Sequence, residues 1–167
     1  MSIVLVGLPG SGKSRLGKIV AEHLGLPFID LDEAVQEASG RTIPDLFRAG
    51  EEVFRTLETQ ALKDALAGPK ALIATGGGIV EREENRELLA QFPVVFLDID
   101  IEEAIARASR SGARPLLQDD VAQRMRALSA RRDPLYRQVA STSVKLGRAS
   151  KTENAHALLR AIDELVK

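Results

Sequence analysis

The 167-residue chain contains no cysteine and no tryptophan, a single tyrosine, and only 4% aromatic residues. Without cysteine there can be no disulfide, thiolate metal site or cysteine nucleophile, which accords with a cytoplasmic location. So few aromatics leave no platform on which nucleobases could stack. Neither sign of charge dominates: 23 Lys and Arg against 24 Asp and Glu give a formal net charge of −1. No broad basic field therefore invites nucleic acid or an anionic membrane. No stretch approaches the ~18 apolar residues of a spanning helix, and with the first apolar run beginning at Ile3 no signal peptide is expected. Repeats, low-complexity tracts and linkers are missing as well. What remains is ordinary globular composition, 44% apolar and 28% charged. That length suits one well-cored α/β domain, expected to span residues 1–167, and is short for two. Nothing announces a self-complementary patch, so a monomer is expected.

Against these absences stands one strong pattern. Residues 7–14 read Gly-Leu-Pro-Gly-Ser-Gly-Lys-Ser, a complete G-x-x-x-x-G-K-[ST] phosphate-binding loop. An apolar run, residues 3–6, precedes it, and a segment with helical spacing, residues 15–24, follows. Gly7, Gly10 and Gly12 allow backbone conformations that turn successive N–H groups toward one anion. The helix start near Lys13 adds unpaired amides and the positive end of its dipole. Lys13 is expected at the β- and γ-phosphates and the Ser14 hydroxyl on Mg²⁺.

Short apolar runs recur at residues 3–6, 27–29, 71–74, 94–97 and 142–146, separated by helical stretches. This alternation predicts a parallel sheet covered on both faces. Two insertions interrupt it. Residues 32–69 have helical periodicity with a start signal at Thr42-Ile43-Pro44-Asp45, and 32–62 read as an acceptor-binding insertion. Residues 109–120 are polar, carry Gly and Pro, and read as a closing lid. Both should lie beyond the carboxyl ends of the strands, where ligands bind in such folds.

Several constellations lie near that edge. Asp30 and Asp32, two apart after the second run, can project to one side and share duty at a metal or hydroxyl; alternatively, Asp32 only caps the next helix. Arg55 and Glu58 are spaced as a surface ion pair on a helix, or as part of a site. Gly76, Gly77 and Gly78 end the third run, where a ligand could approach the backbone closely or a flexible turn could form. Arg107, Arg110, Arg114, Arg131 and Arg132 gather around the expected lid and the helix after it. Arg114 suits a guanidinium closing over phosphates. The run ending at Asp98 imitates a metal-binding strand, but the Asp98–Asp100 region reads as a helix cap.

Taken together, GLPGSGKS, FIDLD, VFRTLE, ATGGG, ARPLL and RRDPLY occur in the order and near-spacing of one family, and the chain resembles shikimate kinases over essentially its full length. The resemblance implies a P-loop NTPase fold of the nucleoside-monophosphate-kinase type: α/β, a five-stranded parallel sheet flanked by helices, with a helical substrate-binding insertion and a lid. It implies ATP-dependent phosphorylation of the shikimate 3-hydroxyl in aromatic amino-acid biosynthesis. It also implies roles. Gly10, Ser11, Gly12, Lys13, Ser14 and Arg15 would bind ATP, with Arg107 near the adenine and Arg114 at the phosphates. Ser14 would hold Mg²⁺ and Asp30 its water shell. Asp32 would accept the hydrogen bond of the acceptor hydroxyl and act as, or substitute for, a base. Arg55 and Arg132 would clamp the substrate carboxylate, Glu58 would position Arg55, and Gly76–Gly78 would contribute backbone contacts. Lys13, Asp32 and Arg114 would be the catalytic set. Two positions depart from the family pattern: Arg15 replaces the usual Thr after Lys-Ser, and Val144–Arg148 replaces a usual Asp-Thr pair on the adenine side.

Three other readings compete. A gluconate kinase would share the loop, but the triple glycine and the two arginines suit a cyclic carboxylate better than an open-chain acid. A nucleoside monophosphate kinase would bring an anionic phosphate against Asp32. A catalytically dead nucleotide-gated module would be favoured by loss of Lys13 or Asp32, and both are present.

Overall fold

The computed structural model describes residues 1–110 and 118–167. Arg114, expected at the phosphates, and most of the expected lid lie outside them. All five expected strands form: β1 (Ile3–Val6), β2 (Phe28–Asp30), β3 (Leu72–Ala74), β4 (Val94–Ile99) and β5 (Thr142–Leu146). They make one sheet in the order β2-β3-β1-β4-β5 with every pairing parallel. The central strands are apolar throughout because helices cover both faces, so alternation would leave a polar side chain buried. The helices are α1 (Lys13–Leu24), α2 (Leu31–Ser39), α3 (Ile43–Ala49), α4 (Glu51–Ala67), α5 (Glu83–Leu89), α6 (Ile101–Arg110), α7 (Gln118–Val139) and α8 (Lys151–Leu165).

Register is what positions the site. Leu5 lies level with Ala74, and Ala74 level with Asp30. The chain therefore leaves β1, β3 and β2 at one edge of the sheet, and the phosphate loop, the glycine turn and the two aspartates emerge side by side. Close packing of α1 supports this edge: a Cβ on Gly17 would stand 2.6 Å from the Phe28 ring, so the helix carrying Lys13 can press directly onto β2.

The insertion folds as α2, α3 and α4 and gathers a small apolar cluster of its own from Val35, Leu46 and Phe54. The start signal at Thr42 works as read: its hydroxyl accepts the Asp45 N–H at 3.3 Å, with Pro44 in the first turn. At α2 the expectation is corrected. Asp30, not Asp32, is the cap, its Oδ1 accepting from the backbone of Asp32 at 2.9 Å and of Glu33 at 3.3 Å. Asp32 belongs to the first helical turn, so the two carboxylates meet across a strand-to-helix corner and not by strand alternation. Asp98 pairs with Arg137 at 2.9 Å, while Asp100 accepts from the Glu103 N–H of α6 at 3.1 Å. That run is a structural imitation of a metal strand.

Candidate functional site

A cleft of about 800 Å³ opens at the strand edge, walled on one side by the phosphate loop and on the other by Asp32 and the glycine turn. The loop has the shape its glycines allow. Gly10 and Gly12 adopt φ of 80° and 94°, left-handed values at which a Cβ would be strained. Gly12 is the residue before α1, so the first amides of that helix face the cleft unpaired. Ser11 is fully buried beneath the loop.

Lys13 is also buried and folds back on its own loop. Its ammonium donates to the carbonyls of Gly7 at 2.6 Å and Leu8 at 2.8 Å, and to the Ser11 hydroxyl at 3.3 Å. Burial pushes its pKa down to about 8, with Asp32 and Asp30 opposing and Arg132 reinforcing that fall. The cation is thus poorly solvated and close to a place where polyanion charge would be welcome.

Ser14 and Asp30 form the oxygen-bearing corner of the site. The Ser14 hydroxyl donates to Asp30 Oδ2 at 2.6 Å, on a side chain exposed to the cleft. Hydroxyl plus carboxylate is a hard donor set suited to Mg²⁺, which keeps waters and phosphate oxygens as its other ligands. Among the described residues, no three His, Cys, Asp or Glu side chains converge to cage a metal alone. The corner fits a shared, nucleotide-borne ion better than a resident one.

Across the cleft, the three consecutive glycines each meet a different polar group. A Cβ on Gly76 would stand 2.9 Å from Asp32 Oδ1 and 3.2 Å from Glu58 Oε2. On Gly77 it would stand 2.7 Å from Pro9 Cδ and 3.1 Å from Arg132 Nη1. On Gly78 it would collide with the Arg55 guanidinium. None of the three has positive φ, so glycine is required here for closeness and not for conformation.

Arg55 and Glu58 are not a surface pair. They are 6% and 1% exposed and joined at 2.9 Å, one α4 turn apart. Arg55 also lies over the Phe54 and Phe47 rings at 5.3 and 5.8 Å, which themselves stack. Burial raises the Glu58 pKa, and the Arg55 charge pulls it back. The Asp32 carboxyl is likewise raised, first by burial and then by the Asp30 charge, against Lys13 and Arg55. A carboxylate held reluctantly ionised is a stronger hydrogen-bond acceptor for a reacting hydroxyl.

Arg107 reaches from α6 over the loop, its Nη1 3.3 Å from the Gly10 carbonyl and its Nη2 3.5 Å from that of Gly147. This joins the loop to the segment after β5 on which the sequence departs from the family pattern. Arg15 is exposed and lines the same cleft. Arg132, 8% exposed, faces Gly77 from α7. Two residues to which the sequence assigned no role complete this wall, one of them the last residue of the RRDPLY stretch. Tyr136 donates its hydroxyl to the Gly77 carbonyl at 2.5 Å. Glu81 pairs with Arg131 at 2.8 Å and approaches Arg132 Nε at 3.6 Å. The spacing held a hint, since Tyr136 follows Arg132 by four on a helix, and Glu81 follows Gly78 by three.

Known proteins match this chain closely. A family model described as shikimate kinase covers residues 9–163. The shikimate kinase of Symbiobacterium thermophilum is 44% identical, across 98% of this chain and 97% of that protein. The Mycobacterium tuberculosis enzyme of the same name is 42% identical, across 95% of this chain and 89% of its own. Among solved structures, shikimate kinase from Acinetobacter baumannii in complex with shikimate has a TM-score of 0.89 at 38% identity, covering 98% of this chain and 93% of that one. A gluconokinase from Sinorhizobium meliloti shares the fold alone, with a TM-score of 0.62 at 18% identity over 98% of this chain and 92% of that one. Similarity of this strength along nearly the whole sequence makes the chain a member of the shikimate kinase family.

Proposed function

We propose that the protein transfers the γ-phosphoryl group of ATP to the 3-hydroxyl of shikimate. The observation that carries this reading is the glycine turn. Asp32, Arg132 and Arg55 are each packed against one glycine of the same turn, whose Gly77 lies against Pro9 of the phosphate loop, and Asp32 lines the cleft with that loop. Two arginines and one carboxylate on so short a wall suit a small rigid acceptor bearing a carboxylate at one end and a hydroxyl at the other.

In this reading the loop amides and Lys13 hold the triphosphate, and Arg15 and Arg107 border the nucleotide. Ser14, with Asp30 through water, would hold Mg²⁺, which neutralises phosphate charge when bound. Arg55 and Arg132 take the acceptor carboxylate, and Glu58 keeps Arg55 in place. Asp32 accepts the hydrogen bond of the attacking hydroxyl and receives its proton as the new O–P bond forms and the bond from the γ-phosphorus to the β–γ bridging oxygen breaks, releasing ADP. Arg114, outside the described residues, is assigned to the phosphates from sequence alone. Phosphoryl transfer depends mostly on positioning and charge, so most of these groups need only be held still.

Among the described residues no helix is long and apolar enough to cross a membrane; a cytoplasmic monomer is the state we propose. Coupled ADP release with Mg²⁺-ATP and shikimate, against gluconate and against no acceptor, tests the whole reading. Strong release with shikimate is expected. Release with gluconate only would overturn the acceptor assignment. Nucleotide binding without release would make the chain a binding module.

A further inference from the structure

Two polar atoms on the acceptor side of the cleft are closed off from solvent without a hydrogen-bond partner, and they face each other. They are Glu81 Oε1 and Arg132 Nε, 3.6 Å apart. An N–H···O bond closes at about 2.7–3.2 Å, so a shift of roughly half an ångström would join them. Unpaired burial of charged donors and acceptors is costly, and native structures rarely keep it without a use.

The frame around the pair is fixed on both sides. The Glu81 amide donates to the Gly78 carbonyl at 3.0 Å, as that of Ile79 does to Gly76 at 3.1 Å. Glu81 is therefore rigidly attached to the glycine turn. Its second oxygen is held by Arg131 at 2.8 Å. On α7, Tyr136 ties back to the turn through Gly77. Arg132 lies between these two ties with Nη1 turned to Gly77. The Arg132 guanidinium also donates to the Tyr136 hydroxyl, and contact through Nε would keep Glu81 off the remaining terminal N–H groups, where an anion could bind.

We propose that Glu81 is a positioning residue for the acceptor: its carboxylate bridges Arg131 and Arg132, aims the Arg132 guanidinium along the glycine turn, and closes onto Nε when an acceptor carboxylate takes the terminal nitrogens. This rests on the reading in which Arg132 binds that carboxylate. Orientation and net charge make opposite forecasts here. Removing the negative charge of Glu81 would strengthen the attraction of this wall for an anion. Loss of aim would weaken binding despite the added positive potential.

Glu81→Gln keeps the shape and deletes the charge, and steady-state kinetics separate the cases. Losses of positioning shells run from about tenfold upward, so KM for shikimate is expected to rise about tenfold while kcat and KM for ATP hold. Glu81→Asp, too short to bridge both arginines, should lie between, and serves if the glutamine variant does not fold. In an Arg132→Lys background, which has no Nε, Glu81→Gln should add nothing to KM. An unchanged or lower KM for shikimate, or the same rise in the Arg132→Lys background, overturns the proposal and leaves the kinase reading standing. Absence of shikimate-dependent ADP release from the unaltered protein would instead remove the kinase reading, and this inference with it.

Discussion

The Arg55 guanidinium occupies the space in which a side chain at residue 78 would begin. Gly78 and Arg55 come from different elements, the turn after β3 and the helix α4, and each limits what the other can be. Gly78→Ala should push the guanidinium away from the turn or the turn away from α4. Overpacking of this kind costs about 1–3 kcal/mol, so a lower thermal midpoint is expected together with weaker shikimate binding. Arg55→Ala restores the space but removes the charge, and should cost about 2–5 kcal/mol in shikimate affinity. Titration calorimetry with each ligand checks both: ATP affinity should hold in each variant, and a loss confined to ATP would put Arg55 on the wrong side of the cleft.

Asp32 lies between Gly76 and Lys13, and burial and the Asp30 charge raise its pKa. Asp32→Asn keeps the volume and removes the proposed proton acceptor. General-base losses are of order 10²–10⁴ in rate, so kcat should fall by about that much while ATP binding persists. Unchanged turnover in a stopped or coupled assay would remove Asp32 from the chemistry.

Tyr136 gives a direct optical probe, because it is the single tyrosine in a chain without tryptophan. Burial pushes its phenol up to about 12, against the lowering pull of Arg132. Absorbance at the phenolate band should therefore show one transition near pH 12 in the folded protein, and near 10 once unfolded. A raised pKa favours the protonated phenol in the native state. The associated stability, roughly 3 kcal/mol for two units, is fully present below pH 10 and is lost as pH rises through about 12. A native transition near 10 would mean the phenol is not buried against Gly77.

Local sequence carried much of this. The phosphate loop is contiguous, and three glycines, a lysine and two serines in eight residues make its shape legible locally. Five apolar runs between helices are enough for a parallel sheet, and the cap at Thr42 is written in four residues. Chain propensity could not say which aspartate caps α2, because both residues are good caps and the corner geometry of β2 selects Asp30.

Tertiary structure decided the other wall of the cleft. Arg55 and Glu58 have the spacing of an ordinary solvated pair, and only the docking of α4 against the glycine turn makes them buried. Glu81 belongs to no motif and Tyr136 only closes the RRDPLY stretch, and their importance comes from α7 lying against a turn far earlier in the chain, as the Tyr136–Gly77 bond across 59 positions shows. A motif records what neighbouring residues do to one backbone. Contacts between distant segments depend on sheet register and helix packing, and this wall of the cleft is built almost entirely from such contacts.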